Sequence, residues 1–299
     1  MGKPGSDSIT VREHEDFARV YDLPDPRPYY RALRPLDYRM PAVACGYLEQ
    51  HAARIASARG PGRDGARLRL LDFACGYAAN GALLLHELSL DELYAFYGSD
   101  APDDPGGDPT THDARFFTAR RSADPAFEVG GLDVAATALA YARDCGLLHE
   151  AFAENLLESP PSTSLKAFLD STDIVLETGG IGDLLAPCFA RLLDAAGGTP
   201  GSRRPWFLYS PRGNVDEAPL RQLFAERGYR LETCSEEPFR YRRLMSAREE
   251  AEVTAAARRY GKDPAAHFHD GWFINPLRLA RPKEDSAALP VSEIMLKHQ

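Results

Sequence analysis

The sequence predicts an α/β fold, a mostly parallel sheet with helices on both faces, and three observations carry that prediction. The first is the stretch from Leu68 to Gly81. An apolar run climbs to Asp72, a small-residue turn follows (Ala74, Cys75, Gly76, Tyr77, Ala78, Ala79), and a helical pattern runs from Asn80 to Leu88. That is strand, tight turn, helix. The second is Phe127 to Asp133, a short apolar strand ending in an acid. The third is the alternation of short apolar runs with helical periodicity through the rest of the chain, which implies a parallel sheet covered on both sides. Ligands of such sheets sit beyond the carboxyl ends of the strands. Small turn residues let the backbone approach a ligand, and a helix N-terminus offers free N–H groups. A carboxylate at the tip of the second strand can accept both hydroxyls of a ribose. Turn and acid together suggest a nucleoside-bearing cofactor.

Before the first strand the chain reads as helical. Residues 1–12 are polar, Glu15 to Tyr21 is a short helix candidate, and Leu23 to Pro28 is a proline-rich break. Pro41 suits the start of a helix running to about Ala58. Gly60 to Gly65 reads as a linker. Between the first turn and Asp133 the spacing is far longer than the ~20 residues usual between a glycine loop and its acid. Gly98 to Pro125, rich in Asp, Pro and Gly, accounts for the excess and reads as a flexible acidic loop near the pocket mouth. Further on, Val134 to Cys145 is helical with Gly146 as its stop, Phe152 to Leu156 is a strand, Ser162 to Asp170 a helix, and Asp173 to Glu177 a strand. Helix Leu184 to Ala195, strand Trp206 to Ser210 and helix Asp216 to Arg227 follow, then strand candidates Tyr229 to Thr233 and Phe239 to Leu244. Ser246 and Glu249 make a capping-box pattern for a helix to about Tyr260. Trp272 to Ala280 reads as a last strand, with Pro276 marking an edge or bulge, and the chain from Pro282 onward reads as a tail.

The chain has 299 residues, 44% hydrophobic, and a net charge of −9. That balance argues against nucleic acid or an anionic membrane as the main partner. The basic aromatic stretch Phe239 to Arg243 reads as an exposed strand with its charges in solvent. Cys45, Cys75, Cys145, Cys188 and Cys234 are scattered and form no C-x-x-C pair, which fits a reducing, cytoplasmic setting. No signal peptide and no apolar run of membrane-spanning length is visible. His267 and His269 are an H-x-H pair with no third ligand assigned, and Asp103 and Asp104 match no metal-loop spacing, so no metal is expected.

These motifs resemble those of the class I S-adenosylmethionine (SAM)-dependent methyltransferases. Asp72 stands where that family has the acid closing its first strand, and Ala74, Gly76 and Ala78 stand at its alternating glycine positions. Asp133 matches the ribose-binding acid, Asn155 takes the place of the usual Asp beside the adenine, and Asp173 to Gly180 looks like the fourth strand and its loop. The resemblance spans roughly residues 68–281. It implies a seven-stranded, mostly parallel sheet with an added N-terminal helical cap (residues 1–64), a SAM-binding domain (65–281) carrying a long insertion before strand two (about 98–125), and a C-terminal tail (282–299). A dinucleotide loop would instead need glycines at Ala74 and Ala79. A Cβ in a left-handed conformation costs about 1–2 kcal/mol, so Ala74 and Ala78 are expected to take ordinary dihedrals or to shift the loop.

The resemblance implies a cofactor site of Asp72, Ala74, Cys75, Gly76, Tyr77, Asn80, Asp133, Val134, Asn155, Leu156, Glu177 and Thr178. By the family's topology the last strand is antiparallel and its start points at the pocket, which brings His267, His269, Asp270 and Trp272 to the substrate. Tyr29, Tyr38 and Arg39 are expected in a substrate lid and Arg212 on the substrate side. His269 is a candidate general base, with Asp270 or Glu177 orienting a hydroxyl or amine. The expected activity is methyl transfer from SAM, leaving S-adenosylhomocysteine (SAH), to an O or N atom of a small molecule of specialised metabolism. Alternatives are a SAM-binding enzyme of cyclase or decarboxylase type that transfers no methyl, or a degenerate cofactor-binding protein. The helical cap could mediate a homodimer.

Overall fold

The computed structural model describes residues 20–60, 67–99, 109–179, 182–196 and 203–296. The polar start, most of the first helix candidate and all but the first residue of the Gly60–Gly65 linker lie outside them.

The main sheet is built from β1 (Leu68–Phe73), β2 (Phe127–Asp133), β3 (Glu150–Ala153), β4 (Ile174–Glu177), β5 (Trp206–Tyr209), β6 (Tyr229–Thr233) and β10 (Arg278–Pro282). Its seven strands run in the order β3-β2-β1-β4-β5-β10-β6. The pairs among β1 to β5 are parallel, while β10 runs antiparallel between β5 and β6. This is the sheet expected from the resemblance. The order reverses between β1 and β4, so their carboxyl ends open a crevice there. Successive residues of each central strand face opposite cores, as the period of two requires. Leu68 and Leu70 of β1 join one core, and Leu71 and Phe73 the other. Burial on both faces explains why these strands read as unbroken apolar runs.

One face is covered by α1 (Arg27–Leu33), α2 (Met40–Arg59), α3 (Ala79–Leu85), α4 (Leu90–Gly98), α5 (Pro109–Thr118) and α6 (Ala136–Asp144). The other carries α7 (Thr163–Leu169), α8 (Leu185–Ala195) and α9 (Ala218–Glu226). Local chemistry sets several starts. Pro41 sits in the first turn of α2, and Ser89 and Glu92 close a capping box on α4. In α10 (Ala247–Arg259) only half of the expected box forms. Ser246 accepts from the Glu249 N–H, but the Glu249 carboxylate turns to Arg242.

Three expectations need correction. The segment 98–125 is not a structureless loop throughout. Residues 100–108 lie outside the described residues, but α5 follows them and buries Asp113 and Phe117. Asp113 escaped recognition as core because its charge is matched by Arg27, distant in sequence, at 2.7 Å. Trp272 to Ala280 is not one strand. Proline has no N–H to continue a ladder, and around Pro276 the chain leaves one sheet for another. β9 (Trp272–Asn275) pairs with β7 (Phe239–Arg243) and β8 (Phe268–His269) in a separate three-stranded sheet. Finally, residues 282–296 are not a loose tail. Pro282 ends β10, α11 (Lys283–Ala288) places Asp285 to accept from the Trp206 indole at 2.7 Å, and Ile294 is buried.

Candidate functional site

A cavity of about 620 Å³ opens at the carboxyl ends of β1 to β4. The loop after β1 forms part of its floor. Ala74 (φ 57°), Gly76 (φ 52°) and Ala78 (φ 54°) are all left-handed. The alanines therefore keep the conformation that suits glycine, contrary to the expectation above, at a cost of about 1–2 kcal/mol each. Backbone bonds hold them there: Ala74 donates to the Leu132 carbonyl and Ala78 to that of Cys75, both at 2.8 Å.

Asp133, at the tip of β2, is nearly buried and aims into the cavity. Its Oδ1 accepts from the Ala135 N–H at 2.9 Å, and its Oδ2 accepts from the Gly76 N–H and the Tyr21 hydroxyl, both at 2.8 Å. Burial, reinforced by Asp133, pushes the Tyr21 phenol well above its ordinary pKa, so it stays a donor. Gly76 permits this contact, since a Cβ there would stand 3.1 Å from the Tyr21 oxygen. Asp72 lies buried beneath the loop. Its Oδ1 accepts from Asn80 at 2.8 Å, and its Oδ2 has no hydrogen-bond partner among the described residues. Burial, with the Asp133 and Glu177 carboxylates nearby, pushes its pKa up to about 7. Glu177, at the end of β4, is buried and accepts from the Gly179 N–H at 2.6 Å.

Beyond β3 the Asn155 side chain accepts from the Leu157 N–H at 3.0 Å and closes the turn at the cavity wall. Among the described residues the large apolar side chains left exposed are Val134 (63%), Leu157 (41%) and Leu184 (44%), and all three line this cavity. Apolar surface gathered at one mouth marks a place where a ligand sits.

The far wall comes from the helical cap and the small sheet. Tyr29 and Leu33 of α1, with Leu36 and Tyr38 after it, face Tyr241 of β7 and Met245. Tyr38 donates to the Thr178 carbonyl at 2.7 Å and Tyr241 to that of Gly179 at 2.8 Å, with their rings edge to face at 5.2 Å. Burial raises both phenol pKa values. Arg242 and Arg212 also reach the cavity.

Of the residues expected from sequence, Ala74, Asp133, Val134, Asn155, Leu156, Thr178, Tyr29, Tyr38 and Arg212 line the cavity together. Asp72, Cys75, Gly76, Tyr77, Asn80 and Glu177 support it without lining it. Tyr77 instead holds the segment before α1, accepting from the Leu23 N–H at 2.7 Å. The remaining residues are elsewhere. Arg39 pairs with Asp37 and Asp91, and His267 packs its ring against Gly213. Trp272 is approached by the guanidinium groups of Arg240 and Arg243, at 5.2 and 4.5 Å from its ring. His269 and Asp270 pair with each other at the exposed turn between β8 and β9, their side chains 64% and 75% accessible. The sequence pattern places them near substrate by starting the last strand at Trp272, whereas the strand that enters the main sheet begins at Arg278.

Sequence reasoning missed Tyr21, Glu154, Leu157, Tyr241, Arg242 and Met245. β7 did not read as a pocket wall because its register shifts between Arg240 and Arg242. Tyr241 and Arg242 are consecutive yet both buried, which breaks the alternation that would have marked an inward face. Among the described residues no group of three His, Cys, Asp or Glu side chains could hold a metal, and no helix is long and apolar enough to cross a membrane.

No family model and no curated protein sequence matches the chain. Similar solved structures include the magnesium protoporphyrin IX methyltransferase ChlM of Synechocystis PCC 6803 with bound SAH, at 11% identity over 90% of this chain and 100% of that one, with a TM-score of 0.40. The plantazolicin methyltransferase BpumL with SAH is 10% identical over 93% of this chain and 98% of its own, with a TM-score of 0.39. The [4+2]-cyclase SpnF is 16% identical over 78% and 80%, with a TM-score of 0.33. Likeness at this level carries no argument about what the present chain binds or does.

Proposed function

We propose that this chain binds SAM at the carboxyl ends of β1 to β3 and transfers its methyl group to an O or N atom of a small molecule held under the helical cap. The observation that carries the reading is the single cavity running from Asp133, Val134 and Asn155 to Tyr29, Tyr38 and Tyr241. A family-like acid and an exposed apolar wall lie at one end, and an enclosed aromatic wall at the other. When bound, the cofactor supplies an activated methyl on a positive sulfonium. Asp133 would hold the ribose. A carboxylate accepts about four hydrogen bonds, and three are taken by Ala135, Gly76 and Tyr21. A ribose diol fits if one hydroxyl takes the open position and the other displaces the Tyr21 hydroxyl. Val134 and Leu157 would cover the adenine, with Asn155 at its edge. The cap and β7 exclude water and align the acceptor, which in-line transfer requires.

No histidine is among the residues lining the cavity. This favours an acceptor that needs no strong base, and it also supports a second reading, a SAM-binding enzyme that transfers no methyl. Calorimetric titration with SAM and SAH tests the site. Wild type should bind both, and Asp133→Ala should lose roughly tenfold or more, because hydrogen bonds to a charged group are worth about 1.5–3 kcal/mol. Unchanged affinity in a folded variant removes the cofactor assignment. SAH formed in step with product separates methyl transfer from the second reading.

A further inference from the structure

We propose that Arg212 is an anion anchor in the acceptor half of the cavity, and that the acceptor is a monocarboxylic acid with a flat apolar body. The inference rests on the function proposed above and names its substrate class. Arg212 follows β5 and reaches the cavity wall. Gly182 makes room for it, since a Cβ there would stand 2.8 Å from one terminal nitrogen of the guanidinium. The Nε of Arg212 is screened from solvent and has no hydrogen-bond partner among the described residues. A guanidinium is always charged and matches a carboxylate with two parallel hydrogen bonds, so one that lines a cavity with no hydrogen-bonded acid among the described residues suits a carboxylate there.

The surrounding charges favour a single negative charge on the ligand. Arg242, the other cavity arginine, is committed to Glu249 through paired contacts of 2.5 and 3.1 Å. Glu177 is buried at the end of β4, and it and Arg212 act on Tyr241 in opposite senses. Glu249 also feels the Arg212 charge, but among the described residues Arg212 is the cavity guanidinium with no hydrogen-bonded acid. A dianion such as a phosphate monoester would bring a second charge that no further unpaired cation among the described lining residues meets. The rest of this half is apolar and aromatic: Tyr29, Leu33, Leu36, Tyr38, Tyr241 and Met245. Flat aromatic bodies suit the edge-to-face rings of Tyr38 and Tyr241. Both phenols have given their hydrogens to backbone carbonyls. Their oxygens can only accept, so they receive an O–H or N–H on the same ligand.

The test is calorimetric titration with 4-hydroxycinnamate, its methyl ester and phenyl phosphate, with and without saturating SAH, on wild type, Arg212→Gln and Arg212→Lys. Wild type should bind the acid roughly tenfold or more tightly than the ester, the usual scale of a desolvated charge-assisted pair. Arg212→Gln should lose the acid by a similar factor while binding the ester as wild type does, which also reports an intact pocket. Arg212→Lys should recover part of the loss. The proposal is overturned if wild type does not bind the acid, if it binds the ester as tightly, or if Arg212→Gln binds the acid unchanged. Phenyl phosphate bound more tightly than the acid overturns the choice of a monocarboxylate. SAH binding without acid binding removes this inference alone. Arg212-dependent acid binding without SAH binding keeps the anion site and removes the methyltransferase reading.

Discussion

Replacing Arg27 with Met should be among the most damaging single changes in the helical cap, and the structure sets its size. Arg27 and Asp113 are both buried, and they meet in a two-point contact, Nη2 to Oδ1 at 2.7 Å and Nη1 to Oδ2 at 3.1 Å. Tyr141 donates to the same Oδ2 at 2.7 Å, and its own oxygen lies 2.9 Å from that of Tyr97. Asp25 also accepts from Arg27, but it is partly exposed and adds little. Arg27→Met leaves the buried Asp113 charge with only the half-exposed His112 ring at 3.0 Å and the Tyr141 hydroxyl as partners, and breaking a buried pair in this way costs about 3–5 kcal/mol. Asp113→Asn removes that charge and still accepts from Tyr141. The double variant Arg27→Met/Asp113→Asn should therefore be more stable than Arg27→Met alone, with a coupling energy on the order of 2 kcal/mol. Urea denaturation of the four proteins measures it. A loss below about 1 kcal/mol for Arg27→Met, or additive single effects, would show that α5 is not docked on α1 and that the segment before β2 is a loop after all.

Two further outcomes follow from the floor of the cavity. The Asp72 carboxyl, pushed up to about 7, keeps a proton in the folded state that the unfolded chain releases near ~3.9. Its contribution to stability is complete below that lower value and is lost as pH rises through about 7, so Asp72→Asn should gain stability relative to wild type across that window. His86, whose pKa burial lowers to about 4, acts in the reverse direction, costing stability as pH falls below its ordinary value; it does so in both proteins and cancels in the comparison. A stability difference that stays constant between about pH 4 and 8 refutes the Asp72 reasoning. Ala74→Gly should raise stability by about 0.5–1 kcal/mol, because relief of a left-handed Cβ outweighs the added freedom of the unfolded chain. A lowered denaturation midpoint would show that the φ of 57° carries no strain.

Much of the layout of the main sheet was legible in the chain. β1, its small-residue turn and the acid at the tip of β2 are local patterns, set by apolar runs, chain reversal and side-chain size, and each appears where its residues predict. The half of the cavity at Asp133, Val134 and Asn155 followed from them, because parallel strands bring their carboxyl ends to one edge. The aromatic half was legible only in part. Tyr29, Tyr38 and Arg212 were anticipated, but Tyr241 and Arg242 depend on a bulge that no spacing reveals, and Tyr21 depends on a contact across the whole first half of the fold.

Charge and proline show where local reading ends. Asp113 looked like solvent-exposed loop because its sequence neighbours His112 and Arg115 do not announce a buried ion pair, and only folding brings the buried Arg27 to it. Pro276 marked a break, but whether the chain bends within one sheet or crosses to another is decided by which edge lies open, and β5 and β6 leave a place for β10 alone. That decision carries His269 and Asp270 to an exposed turn and leaves the cavity to Tyr38, Tyr241 and Arg212. By itself, the sequence determined the parallel strands and the acid-tipped turn, because propensity and periodicity act over a few residues. Tertiary structure alone decided which side chains close the pocket, because that depends on partners far apart in the chain meeting at one sheet edge.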